Sequence, residues 1–477
     1  MRTSSDFKRL TKPEIRTVQG IIAACEIVCD KPDFTATQGV GGSSTGSGTS
    51  VLTLSDGTVH SDGSIVGDFL DLSLETIFAG GISNASDLSV SHSSLHLSGQ
   101  AGGFVAENHV VVDDGTSIDS PFISFGHTSA GSTEIDDSDL ESDGPGASDG
   151  LLYINGDATL TGVDADIQQM TDLAGRLRWS GGSLTSDLLR LHSNTATDKI
   201  NFIGVALHSS FVRGALNGSS NPATVFMRGG TWTNSMSFAS SGALSLQLGA
   251  HLTTQSLIAD PEMGAGADIG VSDSGTRLLV KKTATVLSLT ADEGADIKIG
   301  GDTSIVSFGS RVDGEGSTLT TRGKFALGGS FIVSDEAEVV SSNGVTFGTG
   351  VHANIKNARW DISGALSIQS DFDMLTVGVD GLLNADSVMI EEKSFNVTNG
   401  VASLQSLTGK NAAVAKVDHG GTLNLGEVKG DITIVIGDDS TLRVDGTATQ
   451  QVTISYEKSA SNALKRVAFN PPHILQP

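Results

Sequence analysis

Apolar and polar residues alternate along this chain in short runs, and each run opens on a turn residue. The clearest copies are Gly242-Ala-Leu-Ser-Leu246, Gly301-Asp-Thr-Ser-Ile305, Gly323-Lys-Phe-Ala-Leu327, Gly364-Ala-Leu-Ser-Ile368, Gly400-Val-Ala-Ser-Leu404 and Gly421-Thr-Leu-Asn-Leu425. Looser copies start at Thr285, Asn343, Gly381 and Ser440, so that from Gly301 onward the steps are 22, 20, 21, 17, 19, 21 and 19 residues. Within a copy the second and fourth residues after the turn are the apolar ones, the period of a strand with one buried face. One short strand cannot bury that face alone, whereas a column of them can. The pattern predicts an all-β chain folded as a single-stranded parallel β-helix, a β-solenoid with coils of about 20–25 residues. Leu366 and Ile368 are expected to point inward from one coil and Leu423 and Leu425 from another, with Ser367 and Asn424 facing out.

The first half repeats with longer steps. Here the apolar alternation runs into glycine: Leu95-His-Leu97 before Gly99, Ile123-Ser-Phe125 before Gly126, Leu177-Arg-Trp179 before Gly181-Gly182, and Val225-Phe-Met227 before Gly229-Gly230. The organisation read from this is an N-terminal helix or targeting segment at 1–38, a Gly/Ser/Thr linker at 39–50, irregular coils at 51–240, regular coils at 241–456 and a cap or tail at 457–477. At the strand spacing of roughly 4.8 Å per coil, about nineteen coils would form a shaft on the order of 90 Å long.

Residues 11 to 29 read as a short amphipathic helix capping the solenoid's open edge, with Thr11 as N-cap, Pro13 in the first turn, and Ile15, Val18, Ile21, Cys25 and Val28 at helical spacing. The rival reading is targeting. Arg2, Lys8, Arg9, Lys12 and Arg16 precede the apolar stretch, and Ile22-Ala-Ala-Cys25 resembles a lipoprotein cleavage box. Cys25 and Cys29 lack the second pair that a zinc site needs, and they provide no disulfide framework for the body of the chain.

Composition sharpens the picture. Fifty-nine glycines against nine prolines suit coil after coil of tight turns. With 55 acidic and 29 basic residues the net charge is −26, which disfavours binding to phosphate backbones, so no nucleic-acid partner is expected. No apolar run approaches the roughly 20 residues of a membrane-spanning helix.

Glycan chemistry on such a scaffold needs two carboxylates across the scissile bond. The candidate pairs are Asp113-Asp114, Asp136-Asp137 and Asp438-Asp439, but neighbours on a strand face opposite ways, so at most one of each pair serves a groove. His419, in Asp418-His-Gly-Gly421, reads as a turn residue. Asp139, Glu141 and Asp143, followed by Gly144, imitate the first half of a calcium loop, although Gly150 stands where the bidentate glutamate belongs. Calcium at those three residues is the one metal expectation; the alternative is an exposed acidic loop. His92 and His96 have the spacing of a helical zinc pair but lie in a strand pattern without a third ligand. Asn84, Asn217 and Asn396 lie in glycosylation sequons. No catalytic residue or organic cofactor emerges from these patterns.

The phrases Phe78-Ala-Gly-Gly-Ile-Ser-Asn84, Trp179-Ser-Gly-Gly-Ser-Leu184 and Met227-Arg-Gly-Gly-Thr-Trp232 resemble coils of right-handed parallel β-helix surface proteins, the broad group of polymorphic outer-membrane proteins, autotransporter passengers and pectin-lyase-like proteins. The resemblance implies the fold for residues 51 to 455. It transfers no functional residue, because the Phe-x-x-Asn and Gly-Gly-Ala-Ile pairing of the polymorphic type is absent. The reading that follows is a non-enzymatic extracellular or cell-surface rod, structural or adhesive, a candidate filament or wall subunit. Its expected partners are proteins or further copies of itself along the rod, with glycan as a further candidate. The alternative is a polysaccharide lyase or hydrolase, or a phage-type receptor-binding spike, and a groove lined with carboxylates and basic or aromatic residues would distinguish it.

Overall fold

The computed structural model describes residues 51–457 apart from 56–57, 62–63, 74–75, 80, 99–102, 127–131, 145–148, 194, 196–197, 215–223, 241, 260–266, 307–308, 369–372 and 450. Outside that span it describes the strands Thr17–Val18, Glu26–Asp30, Asp33–Ala36, Val40–Gly41 and Arg466–Phe469. The fold is an all-β parallel solenoid of about 16 turns, with no α-helix among the described residues. It divides into two units, Met1–Ser235 and Met236–Pro477.

In the first unit each turn contributes strands to three parallel ladders. One runs in register through Leu95, Ile118, Leu140, Ala165, Leu184 and Leu207, in steps of 23, 22, 25, 19 and 23 residues. A second runs through Val110, Thr133, Ala158, Leu177, Ile200 and Val225. The third carries Phe104, Ile123, Leu152, Thr171, Leu189 and Val212. All of these positions are buried, because parallel in-register strands place like positions over one another and the alternation then builds a continuous apolar column. Aromatic rings stack within the core: Trp179 lies 6.4 Å from Phe202, which lies 6.0 Å from Trp232. Serines occupy a corner of the core, where Ser120 Oγ donates to the Phe122 carbonyl at 2.8 Å and Ser186 Oγ to that of Leu188 at 3.2 Å, supplying polar groups that bending strands leave unpaired.

The second unit repeats the plan with shorter turns. Thr303, Phe325, Val345, Leu366, Val388, Leu407 and Val428 form one column, and Leu278, Ile297, Leu319, Val339, Trp360, Leu383, Ala402, Leu423 and Leu442 another. The copies read from Gly301, Gly323, Asn343 and Gly364 therefore belong to one ladder and those from Gly381, Gly400, Gly421 and Ser440 to the next. The 17-residue step between Gly364 and Gly381 is the jump from one face to the other. About 16 turns stand where the spacing of the copies predicts about nineteen coils.

Two further expectations change. The capping helix at 11–29 falls mostly outside the described residues, and the parts described are strands: Thr17–Val18 pairs with Thr35 and Ala36, and Glu26–Asp30 pairs with Val51–Ser55. The β-branched run Ile27-Val28 suits a strand once a neighbouring ladder offers its backbone partners. Ser367 is buried, 8% exposed, and does not face solvent. The ladder sets it between Thr346 and Met389, and its short side chain lies between those larger neighbours. Leu366, Ile368, Leu423 and Leu425 are buried as expected, and Asn424 lies half-exposed on the outer side.

Candidate functional site

The Asp pairs serve turns. Asp113 closes the strand His109–Asp113, while Asp114 takes a left-handed conformation with φ 56°. Asp137 and Asp439 do the same at φ 42° and 56°. A short side chain able to bond its own backbone tolerates this conformation better than most, which is why Asp recurs there. His419 is a turn residue too, with φ 50°, and its Nδ1 lies 3.0 Å from Asp418.

The acidic segment expected as a loop is built from strands. Ser132–Asp136 and Asp139–Ser142 both enter the ladders, with Thr133, Ile135, Leu140 and Ser142 inward. Asp139, Glu141 and Asp143 are exposed along one edge of the chain in extended spacing rather than wrapped around a point, and no group of three or more His, Cys, Asp or Glu is gathered for a metal among the described residues. Glu141 stands in register between Asp119 and Asp166. Partial desolvation against the neighbouring strands and the charges of Asp119, Asp143 and Asp166 hold its carboxyl above the ordinary range. His92 and His96 are not brought together: His92 turns at φ 49° near Asp114, while His96 stands on a strand with Nδ1 3.2 Å from Asp119. Of the sequon residues, Asn396 is half-buried on a strand, Asn84 lies on the strand Gly81–Ser91, and Asn217 is outside the described residues.

Two constellations in the first unit were not anticipated. The outer face of the second ladder carries a shallow depression of about 530 Å³, lined by His109, Glu134, Asp157, Arg176, Arg178 and Asn201. Glu134 and Asp157 come from adjacent strands, two positions apart along them, since Ser132 is the residue in register with Asp157. Arg176 lies in register with Asp157, its Nε 3.3 Å from the carboxylate. Lys199 and Arg228, on the next two strands, flank the ring of Phe226 at 5.4 and 5.5 Å.

On the third ladder Tyr153, Asp172 and Arg190 stand in register on successive strands. His192 Nε2 lies 2.5 Å from Asp172 Oδ1, both side chains being largely covered. Burial, aided by Asp172 and opposed by Arg190, pushes the Tyr153 phenol up, so it stays protonated at neutral pH. Arg213 follows Arg190 directly in register, and Arg190 Nε is buried without a hydrogen-bond partner.

Both constellations sit where the charge of the unit changes sign. Residues 51–175 hold 21 Asp and Glu and no Lys or Arg, whereas residues 176–235 hold six Lys and Arg and two Asp. Counting charge by segment exposes this division. Summing it to −26 conceals it.

Compared with protein-family models, curated proteins and solved structures, the chain matches none of them.

Proposed function

We propose that this protein is a non-enzymatic β-solenoid with a structural or adhesive role at the cell surface or outside the cell. The observation that carries the reading is the use made of its paired carboxylates. Asp114, Asp137 and Asp439 hold left-handed turns between strands, and a residue committed to backbone geometry is poorly placed to face a second carboxylate across a scissile bond. On the first ladder the outward residues Ser117, Asp139, Asp164 and Ser183 stand in register, presenting hydrogen-bonding groups along a face without enclosing a substrate. The surface-protein class suggested by the Gly-Gly phrases fits this reading.

A second reading, a polysaccharide-active solenoid, is favoured by the depression at Glu134 and Asp157, which combines two carboxylates with Arg176, Arg178 and Asn201. The test of both is incubation of the chain with a panel of neutral and acidic polysaccharides, with and without calcium, following reducing ends and the absorbance of unsaturated products. No turnover is the expected outcome. Turnover abolished by Glu134→Gln or Asp157→Asn overturns the structural reading, and so does turnover abolished by changing Asp113, Asp136 or Asp438.

A further inference from the structure

Six cations of the first unit are gathered in one segment of the chain. Arg176, Arg178, Arg190, Lys199, Arg213 and Arg228 follow 125 residues without one Lys or Arg. Three successive strand segments, 176–180, 199–203 and 224–228, present Arg176, Arg178, Lys199 and Arg228 on one outer face. On the adjoining ladder Arg190 and Arg213 stand in register, about 4.8 Å apart by the spacing of parallel strands. Like charges directly opposite one another destabilise a sheet unless an anion lies between them. Asp172, the carboxylate in register with Arg190, is engaged by His192 at 2.5 Å. Cations at strand spacing, drawn together directly after 125 residues that hold 21 acidic side chains and no basic one, are the complement of a ligand that carries several negative charges.

The same face narrows the class of that ligand. Glu134, Asp157 and Thr159 line the depression beside Arg176 and Arg178, and carboxylates accept hydrogen bonds from hydroxyls while repelling anions. A ligand must therefore offer hydroxyl donors next to its acidic groups. Phe226, half-exposed between Lys199 and Arg228, offers an apolar surface for a sugar ring. A nucleic acid supplies one charge at every nucleotide and would meet the acidic strands at 132–136 and 157–161 as soon as it left the cationic ones.

We infer that this face of the first unit binds a glycan bearing carboxylate or sulfate groups, its acidic groups on Arg176, Arg178 and Lys199, its hydroxyls toward Glu134 and Asp157, and a ring against Phe226. The inference rests on the adhesive reading above and gives it a site and a ligand class. Binding is local, because at physiological ionic strength charges are screened beyond about 8 Å, so the face responds to its own cations and not to the net charge of the chain.

The test is binding of the full chain to immobilised polygalacturonate, dextran sulfate and unmodified dextran at 50, 150 and 500 mM NaCl, with thermal melts confirming that every variant is folded. The two charged probes separate a carboxylate from a sulfate ligand, and retention on either one but not on dextran, falling as salt rises, is the expected result. Arg176→Gln with Arg178→Gln should weaken it at least tenfold, Phe226→Ala by a smaller factor at unchanged salt dependence, and Glu141→Gln, on another face, should leave it intact. Equal binding to dextran overturns the inference, as does binding unaffected by the arginine changes or no binding at 50 mM NaCl. Sedimentation on the same samples covers the competing occupant: dimerisation lost with the arginines, without glycan retention, assigns the face to a second copy. Polysaccharide turnover would instead fail the non-enzymatic reading while leaving the glycan site standing.

Discussion

Lys416 Nζ lies 2.9 Å from the carboxylate of Asp418, a largely buried residue two positions further along the same strand. Burial alone would raise the pKa of that carboxyl. The hydrogen bond from Lys416, a second from the His419 N–H at 2.8 Å and the nearby positive charge outweigh burial and hold it below the ordinary range. Hydrogen bonds to Glu457 and Asp418 hold Lys416 above its own.

A pH dependence follows with a definite sign. Asp418 binds its proton less readily folded than unfolded, so its contribution is present above the unfolded value of about 4 and is lost as pH falls through the lower folded value. Glu141 has the opposite sign: its folded pKa is raised, so ionising it above that value costs stability. Melting temperatures from about pH 7 down to about pH 2.5 should show Asp418→Asn below the parent at neutral pH, with the difference closing in acid. Glu141→Gln should lie at or above the parent at neutral pH and meet it below about pH 4. Curves displaced equally at every pH would exclude both linkages.

Asp373 provides a clamp of a different kind. It is 1% exposed, and its Oδ1 accepts hydrogen bonds from the N–H groups of Gly350 at 2.7 Å and Val351 at 3.1 Å, one turn earlier. Asp373→Ala leaves buried donors without that acceptor and should cost about 2–4 kcal/mol in denaturant unfolding, in line with charged hydrogen bonds of roughly 1.5–3 kcal/mol and the penalty for unpaired donors. A loss under about 0.5 kcal/mol would show that the turn is held by other contacts.

How much of this was legible depends on which residues set each feature. The alternation at Leu366 and Ile368 or at Leu423 and Leu425 follows from strand geometry alone, and every one of those side chains is buried. What alternation cannot reveal is the ladder to which a strand belongs, because a copy starting at Gly364 and one starting at Gly400 carry the same local pattern and only cross-strand register separates them. The cationic face illustrates the same limit: Arg178, Asn201 and Phe226 are more than twenty residues apart from one to the next and meet through register. The burial of Ser367 breaks the alternation of its own strand, whose pattern places it outward, and its partners in register, Thr346 and Met389, belong to other turns.

The burial of Ser367 changes what a substitution there should do. Leu366→Asp places an unpaired charge in the core column and should unfold the second unit or cost more than about 4 kcal/mol. Ser367→Asp also introduces a charge into a covered position and should cost roughly 1–3 kcal/mol, while Asn424→Asp, half-exposed at its own position, should stay within about 0.5 kcal/mol. Urea unfolding of the three variants gives the order directly. A neutral Ser367→Asp would mean that the side chain finds solvent despite its neighbours.

Gly182 and Gly204 separate two reasons for a glycine at a corner. Both adopt left-handed conformations, φ 72° and 65°, so either one replaced by alanine carries backbone strain of about 1 kcal/mol. Around Gly204 there is open space for a side chain, whereas a Cβ on Gly182 would stand 2.1 Å from the Val163 carbonyl oxygen of the preceding turn. That carbonyl accepts the Ser183 N–H at 3.1 Å and the Trp179 indole N–H at 3.3 Å, so it cannot retreat without disturbing the ladder and the aromatic core together. Gly204→Ala should therefore lower stability by about 1 kcal/mol, and Gly182→Ala by at least about 3 kcal/mol with a change in Trp179 fluorescence. Equal effects at the two sites would assign the whole cost to φ and remove close approach of the turns as a constraint on the fold.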